Sequence, residues 1–269
     1  MNAHNDSALY WEKRAREFAG RRDGLAAVCS YGMPEFYNRA IGLCQERALR
    51  RWVRCPAGAP QSSGLRALDV GCGVGRWSLQ LAQCGYDVTG VDLSPYMVEQ
   101  ARKRAATLGV PCAFAVEDVR YLDLGQQFDL ILCVTVLQHV RDPDEAAGAL
   151  RRLATHLAPG GMLVALEAAP SGTCHRCNTP FFTARSLDWY RGALRGAGLA
   201  LVSIGGVDPM PCKTWLLPHY RRLPRALAWG SLALATAVSF PIDLVLGGLM
   251  PRRSWHKVLA ARHAAEGPV

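Results

Sequence analysis

The sequence predicts an α/β domain with a doubly wound, largely parallel sheet. The first observation is an alternation of short apolar segments and amphipathic helical segments between residues 61 and 206, which is typical of parallel strands joined by helices. The second is the nearly unbroken apolar run at residues 128–134, as expected for a strand that is covered on both faces. The length of 269 residues, 50% of them hydrophobic, suffices for one such domain with additional helices.

The predicted elements follow in chain order. Residues 6–56 are helical and irregular, and they end at a linker rich in proline, glycine and serine. Strands are predicted at residues 65–70, 87–91, 112–116, 128–134, 161–167, 199–204 and 255–261. Helices are predicted at residues 76–84, 95–108, 143–157 and 184–197. Ser94 is the expected N-cap of the second of these helices, with Pro95 at its first position.

The elements divide the chain into three regions. Residues 1–60 form an N-terminal helical cap, residues 61–206 and 253–265 form the α/β domain, and residues 207–252 form an apolar helical insertion or lid. Residues 171–269 carry twelve basic and four acidic side chains, whereas residues 61–170 carry nine and twelve. The basic excess therefore lies outside the central segment, and it suits an anionic partner such as nucleic acid, a phospholipid surface or an acidic substrate.

Ten cysteines are spread along the chain, several of them in apolar runs, where a free thiol behaves as a small hydrophobic side chain. The polar N-terminus does not resemble a signal peptide, and we expect a protein of the reducing cytoplasm. Cys174 and Cys177 have the spacing of metal ligands, but zinc would also need Cys212, His219 or His256. We therefore predict no metal site here. We expect Cys174 and Cys177 to belong to a loop that faces the substrate.

A glycine-rich loop follows the first predicted strand and precedes a helix. Its sequence is Asp69-Val70-Gly71-Cys72-Gly73-Val74-Gly75. Glycines permit a tight turn and let a ligand lie against backbone amides, and the N-terminus of the following helix favours negative charge. Asp92 ends the second strand, where a carboxylate can accept hydrogen bonds from two ribose hydroxyls. The order of these features predicts a nucleotide site; flavin or nicotinamide stays open, although the third glycine is misplaced for the dinucleotide pattern.

Five segments in order resemble the class I methyltransferases that depend on S-adenosylmethionine (SAM), in their small-molecule type. The segments are residues 68–75, 88–97, 117–119, 128–134 and 157–161. The resemblance covers roughly residues 65–205 and the last strand. It implies a Rossmann-like, seven-stranded sheet whose last strand is antiparallel, with SAM as the cofactor.

The resemblance also implies roles for individual residues. Asp92 would bind the ribose, Asp118 would meet the adenine amino group, and Asp69 would hold the cofactor through water unless it only caps the loop. Tyr10 and Trp11 would close over the methionine end of SAM, unless they pack in the core. The predicted cofactor-binding residues are Asp69, Gly71, Cys72, Gly73, Asp92, Leu93, Met97, Asp118, Val119, Val134 and Tyr10.

Methyl transfer is an in-line displacement, in which positioning supplies much of the acceleration. A general base is needed only when the nucleophile keeps its proton at neutral pH. His139 follows the fourth strand at the edge where parallel sheets bind ligands, and an imidazole can titrate near neutrality. We predict His139 as the candidate base, with a structural histidine that packs the next helix as the alternative.

The insertion carries no charge at residues 226–242 and 244–251. A spanning helix needs about twenty apolar residues, and this stretch reaches that length only by crossing Pro241 and Asp243. We expect two short helices, broken at Phe240-Pro241, beside the active site. They would contact a membrane surface through residues 226–250, with flanking arginines on anionic head groups, or form a lid against the domain or a second subunit. Both arrangements favour a hydrophobic acceptor.

The sequence therefore predicts a SAM-dependent methyltransferase that acts on an oxygen or nitrogen atom of a small, hydrophobic metabolite. One alternative is a C-methyltransferase of an isoprenoid or quinone-type lipid at a membrane surface. A second, of another class, is a SAM-binding scaffold protein without catalysis. Nucleic acid ranks third as an explanation of the basic C-terminal part, after a membrane surface and a lid, because the basic residues bracket an apolar stretch and no RNA-binding module is visible.

Overall fold

The structure is a computed structural model that describes residues 3–17, 33–53, 64–172, 178–209 and 222–264, with Leu216 and His219. The helices are α1 (Ala3–Glu17), α2 (Glu35–Val53), α3 (Arg76–Gln83), α4 (Pro95–Leu108), α5 (Pro143–Thr155), α6 (Leu187–Gly196) and α7 (Arg225–Leu246). The strands are β1 (Arg66–Val70), β2 (Asp87–Asp92), β3 (Ala113–Val116), β4 (Phe128–Val134), β5 (Leu157–Ala168), β6 (Leu199–Gly206) and β7 (His256–His263). Short 3₁₀ helices lie at Leu137–His139 and Gly247–Leu249.

The seven strands form one sheet with the order β3-β2-β1-β4-β5-β7-β6. The first five pair in parallel, and β7 runs antiparallel to both β5 and β6. The predicted doubly wound sheet with an antiparallel last strand is thereby confirmed. The winding reverses between β1 and β4, so the loops after these two strands lie side by side at the carboxyl edge, where such sheets bind ligands.

The central strands bury both of their faces. Ile131 and Cys133 of β4 pack with α5 and α6 in one core, whereas Leu130 and Leu132 pack with α2 and α3 in the other. Successive side chains of a strand point to opposite faces. The apolar run at residues 128–134 therefore serves both layers, as predicted for a covered parallel strand.

Residues 225–246 of the insertion form one continuous helix, so the prediction of two short helices broken at Phe240-Pro241 is wrong. Helix α7 runs over 22 residues with Pro241 inside it. Proline removes one backbone hydrogen bond and clashes with the preceding turn. The helix nevertheless packs along α2, and Phe240 reaches the core on that side of the sheet. Tertiary packing, which supplies most of the stability of helices in proteins, outweighs the local cost.

Candidate functional site

The carboxyl edge of the sheet opens into a cavity of about 1230 Å³. This volume exceeds the usual range of about 300–1000 Å³ for the site of one small ligand, so the cavity has room for two reactants. Ten of the eleven predicted cofactor residues line it, and so does His139. These ten are Tyr10, Gly71, Cys72, Gly73, Asp92, Leu93, Met97, Asp118, Val119 and Val134.

The glycine-rich loop supplies one wall of the cavity. Gly71, Gly73 and Gly75 all have positive φ, at 67°, 54° and 81°, a region in which only glycine is comfortable. A Cβ atom at Gly71 would overlap the side chain of Val136 in the loop after β4. The alternating glycines are therefore required by the backbone conformation and, at Gly71, by the close approach of the two loops at the winding reversal.

Asp92 joins the glycine-rich loop to the start of α4. Its carboxylate accepts hydrogen bonds from the backbone N–H of Gly73 at 2.8 Å and of Ser94 at 2.9 Å. Burial raises the pKa of Asp92, and these hydrogen bonds oppose the rise. Because the residue also lines the cavity, its remaining lone pairs are available to hydroxyl groups of a ligand.

Asp69 is the predicted cofactor residue that does not line the cavity. It is buried, and its carboxylate accepts a hydrogen bond of 2.5 Å from the hydroxyl of Ser78 on α3. Burial raises the pKa of Asp69 to about 7. In the structure Asp69 thus ties β1 to the helix behind the loop. Its role in holding the cofactor through water stays a prediction.

Asp118 lines the cavity at the end of β3, beside Arg120. The guanidinium group of Arg120 donates to both oxygens of Asp118, at 2.7–3.1 Å, and to Glu145 at 3.1 Å. A bidentate arrangement of this kind fixes the orientation of a carboxylate. Asp118 is therefore held at the cavity wall with a defined direction, on the side of the sheet where Asp92 and Val119 also lie.

Another part of the cavity wall is aromatic. The ring of Tyr10 on α1 stacks on Phe181 with 3.8 Å between the ring centroids, and Trp11 meets the ring of His139 edge to face at 4.7 Å. Leu9 and Pro180 complete this wall. We define the aromatic end by these six residues. It would surround a ring-shaped, apolar ligand.

The similarity of the chain to known proteins indicates what this cavity binds. A family model described as a methyltransferase domain matches residues 67–161. The ubiquinone biosynthesis O-methyltransferase of Xanthomonas axonopodis pv. citri is 34% identical over 164 residues, which are 55% of this chain and 67% of that protein. The chain belongs to the class I SAM-dependent methyltransferases.

Two further comparisons set the extent of this similarity. The ubiquinone biosynthesis O-methyltransferase of a Caulobacter strain is 36% identical over 126 residues, 46% of this chain and 49% of that protein, so the match spans about half the length of that relative. The crystal structure of magnesium protoporphyrin IX methyltransferase from Synechocystis with bound SAM has a TM-score of 0.63 and 18% identity, and covers 98% of both chains. This second likeness shows the fold.

The cofactor of this methyltransferase is SAM, and the residues at the cavity fit it. The carboxylate of Asp92 and the glycine-rich backbone stand at the edge where the fold binds nucleotides. Asp118 and Val119 lie beyond the third strand of the same wall.

His139 lines the cavity, but both of its ring nitrogens have neighbours. Nδ1 lies 2.6 Å from the carbonyl oxygen of Phe181, to which it donates, and Nε2 lies 3.4 Å from the amide nitrogen of Gln138. Burial lowers the pKa of His139 to about 4, and the nearby Arg14 lowers it further, against the hydrogen bond to Phe181. The ring is therefore neutral at pH 7 and a weak proton acceptor, which favours the structural alternative.

We expect His139→Ala to raise the KM for the methyl acceptor more than it lowers kcat, because the loop that carries Phe181 loses its hydrogen bond. The control is His139→Asn, whose amide can still donate to that carbonyl group and should restore much of the loss. Steady-state kinetics over pH 5–9 check this, with an unchanged pH profile in the variants. A fall in kcat of about a hundredfold or more in both variants, with the profile altered, would instead identify His139 as the base.

Two residues that the sequence did not single out hold the loop after β4 in place. The carboxylate of Glu167 accepts hydrogen bonds from the backbone N–H groups of residues 136–138 at 2.9–3.1 Å. Arg185 donates to backbone carbonyl groups of the same loop, between residues 137 and 142. Burial raises the pKa of Glu167 to about 7. Together the two side chains position the cavity wall that contains His139 and Thr135, the latter with a strained φ of 56°.

A third residue that sequence analysis missed places α1 over the cavity. Glu12 accepts hydrogen bonds from the hydroxyl of Ser94 at 2.5 Å and from the backbone N–H of Tyr96 at 3.2 Å. A carboxylate at a helix N-terminus is favourable, so α1 is fixed to the first turn of α4. Tyr10 and Trp11, one turn or less away on the same helix, are thereby held at the aromatic end.

Two further predictions concern the pair Cys174 and Cys177 and the apolar insertion. Cys174 and Cys177 lie outside the described residues, and within the described part of the chain no group of three or more His, Cys, Asp or Glu side chains could hold a metal ion. Helix α7 packs on α2, and none of its residues lines the cavity. The expected apolar wall of the insertion is therefore not formed by α7. The apolar lining includes side chains of α1, Pro180 and Phe181, and residues at the carboxyl edge of the sheet such as Val134 and Val136.

Proposed function

We propose that this methyltransferase transfers the methyl group of SAM to an oxygen or nitrogen atom of a small, hydrophobic acceptor that contains a ring. One observation carries the proposal: the nucleotide end with Asp92 and the aromatic end with Tyr10 and Phe181 belong to a single cavity. The two reactants would thus be held against each other without water between them. An oxygen atom is favoured, because the relatives are described as O-methyltransferases.

SAM supplies an activated methyl group, and the protein supplies the positions of the two reactants. Asp92 and the glycine-rich loop hold the nucleoside at one end. The aromatic end surrounds the acceptor ring and excludes water, which strengthens electrostatic interactions around the reacting atoms. Lining up the two reactants in this way can supply about 7–11 kcal/mol of the barrier.

Methyl transfer to a hydroxyl group also requires that the hydroxyl lose its proton. Lys13 and Arg141 line the cavity on α1 and on the loop after His139. A nearby positive charge lowers the pKa of a phenol, and an ionised phenol needs no general base in the transfer step. Lys13 and Arg141 would therefore stabilise the phenolate, and His139 would transfer no proton.

The proposal is tested with radiolabelled SAM and panels of phenols, amines and carbon nucleophiles of matched size. We expect label to pass to phenols in preference, and to hydrophobic phenols above polar ones. Mass spectrometry and NMR of the product distinguish an oxygen-bound from a carbon-bound methyl group. Binding of SAM with no transfer to any panel or to extracts of the host would support the scaffold alternative and overturn the proposal. A cytoplasmic location stays a prediction of the sequence.

A further inference from the structure

Helix α7 exposes an apolar face that the cavity does not use. We define the outer face of α7 as Leu227, Leu234, Val238 and Val245, together with Leu249 of the 3₁₀ helix that follows; these residues are between 49% and 79% exposed. The spacing of the four residues within α7, seven, four and seven, brings them onto one side of the helix, since 3.6 residues make a turn. Between Arg225 and Arg252 the chain has one charged residue, Asp243, which is buried.

Helix α7 is apolar on its exposed side as well as on its buried side. Its inner side, packed along α2, buries Ala228 and Leu232 together with the polar Thr236, Ser239 and Asp243. A surface helix in water normally turns only one apolar side inward and carries polar or charged residues on the other. An apolar face that is rimmed by charge and left outside marks a contact with a partner or a membrane.

The charges at the two ends of α7 identify the partner. Arg222 and Arg225 precede the outer face, Arg252 and Arg253 follow it, and all four are exposed. An anionic lipid surface offers negative head groups around an apolar interior, which complements this pattern. A second copy packed antiparallel on the same face would bring the arginines of the two copies together, and like charges repel.

On a membrane, α7 would lie along the surface and would not cross it. With the turn that follows, α7 is long and apolar enough to span a bilayer by length and composition. It is nevertheless packed on α2, and the strands on either side of the insertion, β6 and β7, pair directly in the sheet. Crossing would carry the buried Asp243 and the folded domain into the hydrocarbon, which is costly for charged groups.

We propose that the outer face of α7 and its four flanking arginines bind the surface of an anionic lipid bilayer. The bilayer would hold the methyltransferase where hydrophobic small molecules accumulate. The surface is separate from the cavity, so the proposal stands or falls independently of methyl transfer.

The test is sedimentation of the full chain with vesicles of phosphatidylcholine alone or with about a third phosphatidylglycerol, over a range of salt concentrations. We expect binding to the anionic vesicles that weakens as salt rises. Leu234→Glu combined with Val245→Glu should weaken it at least about tenfold, because two charges enter the apolar contact. The matched control is Leu108→Glu, at a leucine that is 55% exposed at the end of α4, and it should bind as the unchanged protein does.

A second variant, with the four flanking arginines changed to glutamine, should lose the preference for anionic vesicles. Calorimetry with SAM checks that each variant keeps its cavity, which separates this result from a failure of the proposed function. The proposal is overturned if the unchanged protein stays in solution with both kinds of vesicle, or if the double glutamate variant binds as well as Leu108→Glu. Dimers in analytical ultracentrifugation that the double variant abolishes, without vesicle binding, would assign the face to a second copy instead.

Discussion

Asp92→Ala should weaken SAM binding about a hundredfold or more. The carboxylate of Asp92 lines the cavity and already accepts two backbone hydrogen bonds, from Gly73 and Ser94. Two further bonds from ribose hydroxyls to a charged group would contribute about 1.5–3 kcal/mol each. Their loss alone corresponds to a decrease of roughly two to four powers of ten in affinity, and the loosened loop adds to it.

Isothermal titration calorimetry measures this effect directly. Asp87→Ala is the matched control, because Asp87 begins the same strand β2 but is exposed at its opposite end, and its affinity for SAM should not change. Asp92→Asn keeps the shape of the side chain, and its affinity for SAM should lie between those of Asp92→Ala and Asp87→Ala. An unchanged affinity in Asp92→Ala, with the protein still folded by circular dichroism, would remove Asp92 from the cofactor site.

The doubly wound sheet and part of the cavity wall could be predicted because their signals are local in the sequence. Alternating strands and helices indicate a parallel sheet, and Gly71, Gly73 and Asp92 lie at the ends of the two strands that bracket one helix. The carboxyl edge of such a sheet then brings them together, whatever the rest of the chain does. Asp118 was implied by the resemblance to the family, and it too lines the cavity, two residues after the end of β3.

The supports of the site could not be predicted, because they join residues far apart in the chain. Glu167 lies 29–31 residues from the backbone it holds, and Glu12 lies 82 residues from Ser94. A single glutamate in a helix or at a strand end has no sequence pattern that separates it from an exposed one. The prediction of a break in α7 was wrong for a related reason. Packing on α2, which joins residues far apart in the chain, decides whether the helix tolerates Pro241.

Gly71→Ala should destabilise the fold by about 2–5 kcal/mol and also weaken SAM binding. The positive φ of 67° at Gly71 costs roughly 1–2 kcal/mol for a residue with a Cβ atom. The added methyl group would overlap Val136, and overpacking of this kind costs about 1–3 kcal/mol. Val136 lines the cavity, so its displacement alters the space that the two reactants share.

The chain offers a control that separates strain from overlap. Gly109 has nearly the same φ, 64°, but a Cβ atom there would meet nothing within 4 Å. Denaturant unfolding should therefore give Gly109→Ala only the strain, about 1–2 kcal/mol. Adding Val136→Ala to Gly71→Ala removes the overlapping methyl group and should therefore raise the affinity for SAM again. Adding Val136→Ala to Gly109→Ala should raise this affinity less, because no methyl group overlaps there. Equal losses of stability in Gly71→Ala and Gly109→Ala would contradict the close approach of the loops after β1 and β4, on which the position of the whole cavity wall depends.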